Sequence, residues 1–314
     1  MSVSPHPSVA VVVTTYDHAH FLDAAIGSVL AQTVAPAELI VVDDGSHDRP
    51  EEVTRRHPSA CLIRQANAGL AAARNTGWQA ASSELVVFLD ADDRLLPEAI
   101  AGNLGRLAEA PEAAFAYGAY VDVHVHAGRT SAPWFVPAVD GYESFLRGNP
   151  IGMHATVAYR RSHLDAVGGF DPSLRACEDY DLYLRLAQRF PVAFGPDPIA
   201  EYWHHGANMS LDAPMMLDAA LTVLGRHEEE ARRRGAAAAH DEGVAAWKRH
   251  YVDAWAARAL VAARSRRVDR EVLRQGVALA RLAPGTVARA VAVAPSRLAR
   301  RARRRLRARG RGRS

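Results

Sequence analysis

The chain has 314 residues, 49% hydrophobic and 23% charged, enough to bury one large core or a core with a small second unit. Its two cysteines, Cys61 and Cys177, exclude a disulfide framework, and no apolar run reaches the ~18 residues that a membrane span needs. The net charge of +3 is uneven: residues 296–314 hold ten Arg and no acid, so the rest is net acidic and a uniformly basic nucleic-acid surface is excluded.

The N-terminus has no basic segment followed by an apolar run, which with the two thiols leads to the expectation of a cytoplasmic protein. Val9–Val13 is a short β-branched run ending in Thr14-Thr15-Tyr16-Asp17, and it reads as a buried strand followed by a loop. Apolar residues at 21, 22, 25, 26, 29 and 30 predict a helix over Phe21–Gln32. Glu38–Val42 is a second strand, stopping at Asp43-Asp44-Gly45-Ser46. A helix over Pro50–Arg56, a strand at Cys61–Arg64 and a loop from Asn67 running into a helix through about Ala81 come next. Glu84–Leu89 is a fourth strand and ends in Asp90-Ala91-Asp92-Asp93. Strands alternating with helices at this pitch predict an α/β fold with an open, mostly parallel sheet flanked by helices.

Residues 113–210 read as mixed, with a strand-like Ala114–Val123 and a helix over Asp179–Arg189. Met215–Gln275 is Ala/Arg/Glu-rich with helical spacing, and Pro284 and Pro295 interrupt the chain beyond it. The expected organisation is a catalytic unit over 1–212, a C-terminal helical extension over 213–275 and a basic tail over 276–314.

Three of the four early strands end in polar loops, at 14–17, 43–46 and 90–93. In open α/β sheets ligands bind at the carboxyl ends of strands, so these loops together point to a nucleotide site. Dinucleotide redox chemistry and P-loop chemistry are disfavoured. No Gly-x-Gly-x-x-Gly comes after the first strand, and no Gly-x-x-x-x-Gly-Lys-Ser/Thr occurs.

Six segments in this order resemble the family-two glycosyltransferases. They are Val11–Tyr16, Ile40–Ser46, Asn67–Gly77, Phe88–Asp93, Val167–Asp171 and Glu178–Arg185, and the resemblance covers roughly residues 8–210. It implies the GT-A fold and an inverting transfer of a sugar from a nucleoside-diphosphate-sugar to a hydroxyl acceptor by direct displacement. It also implies a divalent ion, Mn²⁺ or Mg²⁺, which neutralises the leaving diphosphate and needs only one or two carboxylates beside the phosphates. By resemblance Asp92 touches the metal and Asp90 the ribose or a metal-bound water, with Asp93 a weaker candidate. One of Asp43 and Asp44 accepts from a uracil- or thymine-type N–H, so a UDP- or dTDP-sugar is favoured. Tyr16 offers a ring for stacking, Thr14 or Thr15 a small polar contact, and Arg74 a guanidinium for the diphosphate. Asp179 is the expected catalytic base, with Glu178 positioning the acceptor. His205 or His204 completes the metal shell, His205 being favoured, and His154 either lines the acceptor pocket or packs in the core.

The acceptor class implied is a glycan, a glycolipid or a small-molecule hydroxyl. The Arg-rich tail, with Leu298, Ala302 and Leu306 four residues apart, suits an anionic membrane surface at the inner face. Competing readings are a sugar-nucleotide nucleotidyltransferase, disfavoured because the first loop lacks glycine, and an inactive nucleotide-sugar-binding protein, disfavoured by the intact acidic motifs.

Overall fold

The computed structural model describes residues 6–124, 128–205, 211–264 and 270–292, so the Arg-rich stretch from 296 lies outside the described residues. The chain separates into two compact units, Met1–Asn208 and Met209–Ser314.

The first unit opens with β1 (Val9–Thr15), α1 (Ala19–Leu30), β2 (Glu38–Asp43), α2 (Pro50–Thr54), β3 (Ala60–Arg64), α3 (Leu70–Ala80) and β4 (Leu85–Asp90). β1 pairs in parallel with β2 and β4, and β2 with β3, so the spatial order is β3-β2-β1-β4. Every residue of β1 is buried, which is why these strands read as unbroken apolar runs rather than alternating ones. Val9, Val11 and Val13 pack with Leu22, Ile26 and Val29 of α1 on one face. On the other face α3 approaches so closely that a Cβ at Gly77 would collide with Val12 Cγ1.

The chain continues through β5 (Arg94–Leu95), α4 (Ala99–Glu109), β6 (Phe115–His124), β7 (Arg129–Thr130) and α5 (Tyr142–Arg147). A 3-10 turn at His154–Thr156, β8 (Val157–Arg160), α6 (Arg161–Val167), α7 (Glu178–Ala187) and β9 (Val192–His204) complete the unit. β8 lies antiparallel between β4 and β6, while β9 runs parallel to β6 and antiparallel to β5. The nine strands form one mixed sheet, β3-β2-β1-β4-β8-β6-β9-β5, with β7 on β6. The parallel block is the expected one; β8 and the short strands add the antiparallel pairs.

The second unit is helical: α8 (Ala213–Arg233), α9 (Ala237–Arg264) and α10 (Arg270–Leu282). Asp212 caps α8 by accepting from Met215 N at 3.2 Å. Gly235, with φ 75°, turns the chain between α8 and α9. Leu217, Val252 and Leu279 form the fully buried centre of this unit. Among the described residues no helix is long and apolar enough to cross a membrane.

Candidate active site

The loops after β1, β2 and β4 meet at the carboxyl edge of the parallel block, because the three strands are adjacent and in register. Thr14 lies beside Val42 on one side and Asp90 on the other. Its hydroxyl donates to Asp90 Oδ1 at 2.9 Å. Thr15 is buried and its Oγ1 has no hydrogen-bond partner among the described residues. Tyr16 is 45% exposed, its ring 6.5 Å from that of His47 in an edge contact.

The two aspartates after β2 are buried and do different things. Asp44 Oδ1 accepts from Gln65 Nε2 at 2.7 Å and Ala68 N at 2.9 Å, and its Oδ2 accepts from Gly69 N at 2.9 Å. It therefore builds the loop that leads into α3. Asp43 Oδ1 accepts from Ser46 N at 2.8 Å. Its Oδ2 is buried without a hydrogen bond, with Arg64 Nε 3.3 Å away.

Arg74, on the first turns of α3, is buried between two acids from distant segments. Nη2 donates to both oxygens of Asp90 at 3.0 Å, and Nη1 donates to Glu178 Oε1 at 2.6 Å. Burial works against its charge, Asp90 and Glu178 overcome that, and the guanidinium is held above its ordinary value. Phe170 covers it, with the ring centroid 5.6 Å from Cζ. Phe170 is itself clamped to α3, because Asn75 Nδ2 donates to Phe170 O at 2.8 Å and Phe170 N donates to Asn75 Oδ1 at 2.9 Å. Gly169 permits this approach: with φ 69°, any Cβ there would lie 2.7 Å from Asn75 Oδ1.

Glu178 and Asp179 open α7 directly after Cys177, which sits in the left-handed region at φ 59°. Asp179 is the second residue of the helix rather than its N-cap. Its Oδ1 accepts from Tyr180 N at 2.7 Å. Burial raises its proton affinity, Arg74 lowers it, and the net direction is up. Glu178 is pushed up to about 7 by burial, with Arg74 opposing and Asp179 reinforcing. Burial also pushes the Cys177 thiol up, which removes it as a nucleophile.

After β4 the acids divide again. Asp93 is buried and its Oδ1 accepts from Trp203 N at 3.0 Å, pinning the end of β9. Burial, together with Asp92 and Asp90, raises its carboxyl well above the usual range. Asp92 Oδ2 faces His205 Nε2 at 2.9 Å, and His18 and Phe21 pack against that imidazole. Neighbouring residues along an extended chain face opposite ways, so His204 is elsewhere, with Nε2 2.7 Å from Asp122 Oδ1. His154 is a core residue: it is buried, with Nε2 3.0 Å from Tyr159 Oη, and burial and then Arg74 hold it well below its ordinary value.

Among the described residues no three His, Cys, Asp or Glu side chains converge as a metal-holding group. The donor set that does exist, one carboxylate and one imidazole flanked by Asp90, fits an ion that takes its remaining ligands from phosphate and water. Sequence reasoning did not find Arg64, Phe170 or the roles of Asp93 and Trp203. Each acts through a partner with no local signal, the Asp93–Trp203 bond spanning 110 residues.

The structure is similar to two solved glycosyltransferases. S. aureus TarS 1–349 in complex with UDP-GlcNAc matches with a TM-score of 0.61 and 17% identity, over 74% of this chain and 71% of TarS. The mannosyltransferase PcManGT of Pyrobaculum calidifontis, in complex with GDP-Man and Mn²⁺, matches with a TM-score of 0.62 and 20% identity, over 93% of this chain and 87% of that one. Both have the GT-A architecture, and the expected fold is the one observed. An uncharacterized glycosyltransferase of Haemophilus influenzae is 29% identical over 194 residues, 61% of this chain and 65% of that protein. One from a Nostoc species is 42% identical over 90 residues, 27% of this chain and 28% of the relative. The chain thus spans less than two thirds of these relatives. The family described as Glycosyl transferase family 2 matches residues 10–168, half of the chain and the stretch that carries every loop of the parallel block, so the chain belongs to that family.

Proposed function

We propose that the protein is an inverting glycosyltransferase, moving a sugar from a nucleoside-diphosphate-sugar to a hydroxyl acceptor with the help of a divalent ion. The observation that carries the reading is the Arg74 bridge. One guanidinium joins Asp90 at the end of β4 to Glu178, the neighbour of Asp179 at the start of α7, so an acid of the donor side and the segment that carries the candidate base are tied to one cation.

Asp43 is the base-reading residue of its pair, since Asp44 already accepts three hydrogen bonds. Asp43 has one oxygen left, which suits the single imide N–H of uracil or thymine better than the paired N–H groups of guanine. A UDP- or dTDP-sugar is the proposed donor, with Tyr16 stacking on the base and Thr14 and Thr15 lining its pocket. Asp92 and His205 would hold the divalent ion, and the imidazole favours Mn²⁺ over Mg²⁺. When bound, that ion supplies charge neutralisation for the departing diphosphate. Asp179 accepts the proton of the attacking hydroxyl. Its raised proton affinity is the property a base needs near neutral pH. Arg74, bonded through Nη1 to Glu178 and through Nη2 to Asp90, orients these acids and adds positive charge behind the diphosphate. A glycan, glycolipid or small-molecule hydroxyl is the acceptor class, and the Arg-rich tail gives an anionic membrane surface as a partner.

Thermal-shift and donor-hydrolysis screening against UDP-, dTDP- and GDP-sugars with Mn²⁺ tests the reading. A shift and turnover with a UDP- or dTDP-sugar are expected, and no response to any member overturns it. A product with retained anomeric configuration by NMR would refute inversion. Equal sedimentation with anionic liposomes of the full chain and a chain cut at Pro295 would refute the membrane partner.

A further inference from the structure

In the helical second unit, α10 has two apolar sides. The first faces its own unit: Val272, Gln275 and Leu279 are buried, and a Cβ at Gly276 would meet Trp255 Cζ2 at 2.6 Å. Trp255 Nε1 donates to Val272 O at 2.8 Å and Arg258 Nη1 to Gln275 Oε1 at 3.1 Å, so this side is fixed against α9. Leu273, Val277 and Ala280 follow one another at helical spacing on a second line, roughly a third of a turn from the buried one. Leu273 is 60% exposed, Val277 is 58% exposed and Ala280 is half-buried.

Arginines border this second line. Arg270, Arg274 and Arg281 lie beside it around the helix, and all three are exposed. Glu271 is the one acid of α10, and it accepts from Arg274 Nε at 2.8 Å and Nη2 at 2.7 Å. Arg270 and Arg281 are left as the net charge of the helix. The same sign continues beyond it: helical residues 284–292 hold Arg289 and no acid, with Val291 56% exposed, and residues 296–314 hold ten Arg and no acid. A helix packed on its own unit needs one apolar side. A second one, exposed and bordered by long cationic side chains, suits a membrane interface, where apolar residues enter the acyl boundary and Arg stems reach the headgroups. Against a second copy of this chain the same face would set arginines against arginines. Against anionic phospholipid each of those charges is attractive.

We propose that α10 is a membrane-contacting helix: Leu273, Val277 and Ala280 enter the headgroup–acyl boundary of an anionic phospholipid surface while Arg270 and Arg281 bind its headgroups. The proposal rests on the reading of the Arg-rich tail as membrane-directed and adds what that tail lacks. Tail arginines attract the surface electrostatically and are screened by salt. The α10 stripe supplies apolar contact, which salt does not screen.

The test is flotation of the full chain with phosphatidylcholine vesicles containing about 30% phosphatidylglycerol, at low salt and in about 1 M NaCl. The comparison is with a full chain carrying Leu273→Gln and Val277→Gln. Both positions are exposed and Gln is a neutral, good helix former, so the fold and the net charge are kept, which matching thermal unfolding checks. The wild type is expected to float at low salt and to keep part of its binding at high salt. The double variant is expected to partition about tenfold more weakly at low salt and to be released at high salt. Equal partitioning of the two proteins in both salts overturns the stripe and leaves the membrane contact of the tail standing. No flotation of the wild type in either salt overturns both. Sedimentation velocity without vesicles reads the competing occupant: a wild-type dimer that becomes monomeric in the double variant overturns the membrane contact in favour of self-association.

Discussion

At the end of β2, Asp44 gives its carboxylate to Gln65 and the backbone of residues 68 and 69, while Asp43 keeps one buried oxygen without a hydrogen bond. At the end of β4, Asp93 holds Trp203 N while Asp92 faces His205. The loops after the two strands each carry an acidic doublet and divide it the same way, one carboxylate bonded to backbone N–H groups of the fold and the other, in the proposed function, serving a ligand. Asp43 closes β2 with Asp44 just beyond it, whereas Asp92 and Asp93 sit in the turn closed by Asp93 N on Asp90 O, yet in both places the two carboxylates go to different partners. Proximity in sequence is therefore a poor guide to shared chemistry here, and a loop of two acids is a frame plus one functional group.

The comparison breaks most visibly in activity. Asp92→Ala is expected to lower transfer by about 100- to 1,000-fold through loss of several kcal/mol of charge stabilisation. Asp93→Asn keeps an oxygen for Trp203 N and is expected to stay near wild type. Steady-state rates at saturating Mn²⁺ check this, and equal losses in two folded variants would end the division at β4. Asp179→Asn should cost about 100- to 10,000-fold in kcat with nucleoside-diphosphate binding unchanged, as for removal of a general base; near-normal turnover would overturn the assignment. At β2 the effect moves to stability. Asp44→Ala leaves two backbone N–H groups without their carboxylate and is expected to cost about 3 kcal/mol in denaturant unfolding. Asp43→Asn should leave unfolding near wild type and raise the Kd for UDP about tenfold in calorimetry, the loss of one charged hydrogen bond. An Asp44→Ala protein as stable as the parent would mean the loop is held by other contacts.

How much of this was readable from the sequence depends on which interactions are local. β1, β2 and β4 are visible because strands buried on both faces leave unbroken β-branched runs ending at polar loops. β9 is not visible: Gly195, Pro196 and Pro198 read as turns, and the strand is made by its neighbours, β6 through register shifts near Tyr117 and Ala119 and β5 on the other side. Without β9 the alternation that separates His204 from His205 has no frame, so the choice between them stayed open in the sequence. The same limit hid the Arg74 bridge. Arg74 stood out as a phosphate-directed cation, but its contact with Glu178 spans 104 residues and depends on the tight packing of Gly169 against Asn75. Composition and period report what a segment does to itself; the site is made by segments meeting.

The last expected effect concerns that bridge and is read from pH. Glu178 is held at about 7 by burial, against an ordinary value of 4.5, despite the Arg74 guanidinium 2.6 Å from its oxygen. Between those two values the folded chain binds a proton that the unfolded chain has released, so folding stability falls as pH rises through the window. Gln at this position is neutral throughout. The stability of the wild type relative to Glu178→Gln should therefore be greatest below the ordinary Glu value, decline as pH climbs to about 7, and then level off. Thermal unfolding of both proteins between about pH 4 and pH 8 measures the difference directly. A difference that instead grew with pH would mean that the ion pair with Arg74 outweighs burial, and that the bridge from Asp90 to the α7 acids is held by charge rather than by packing.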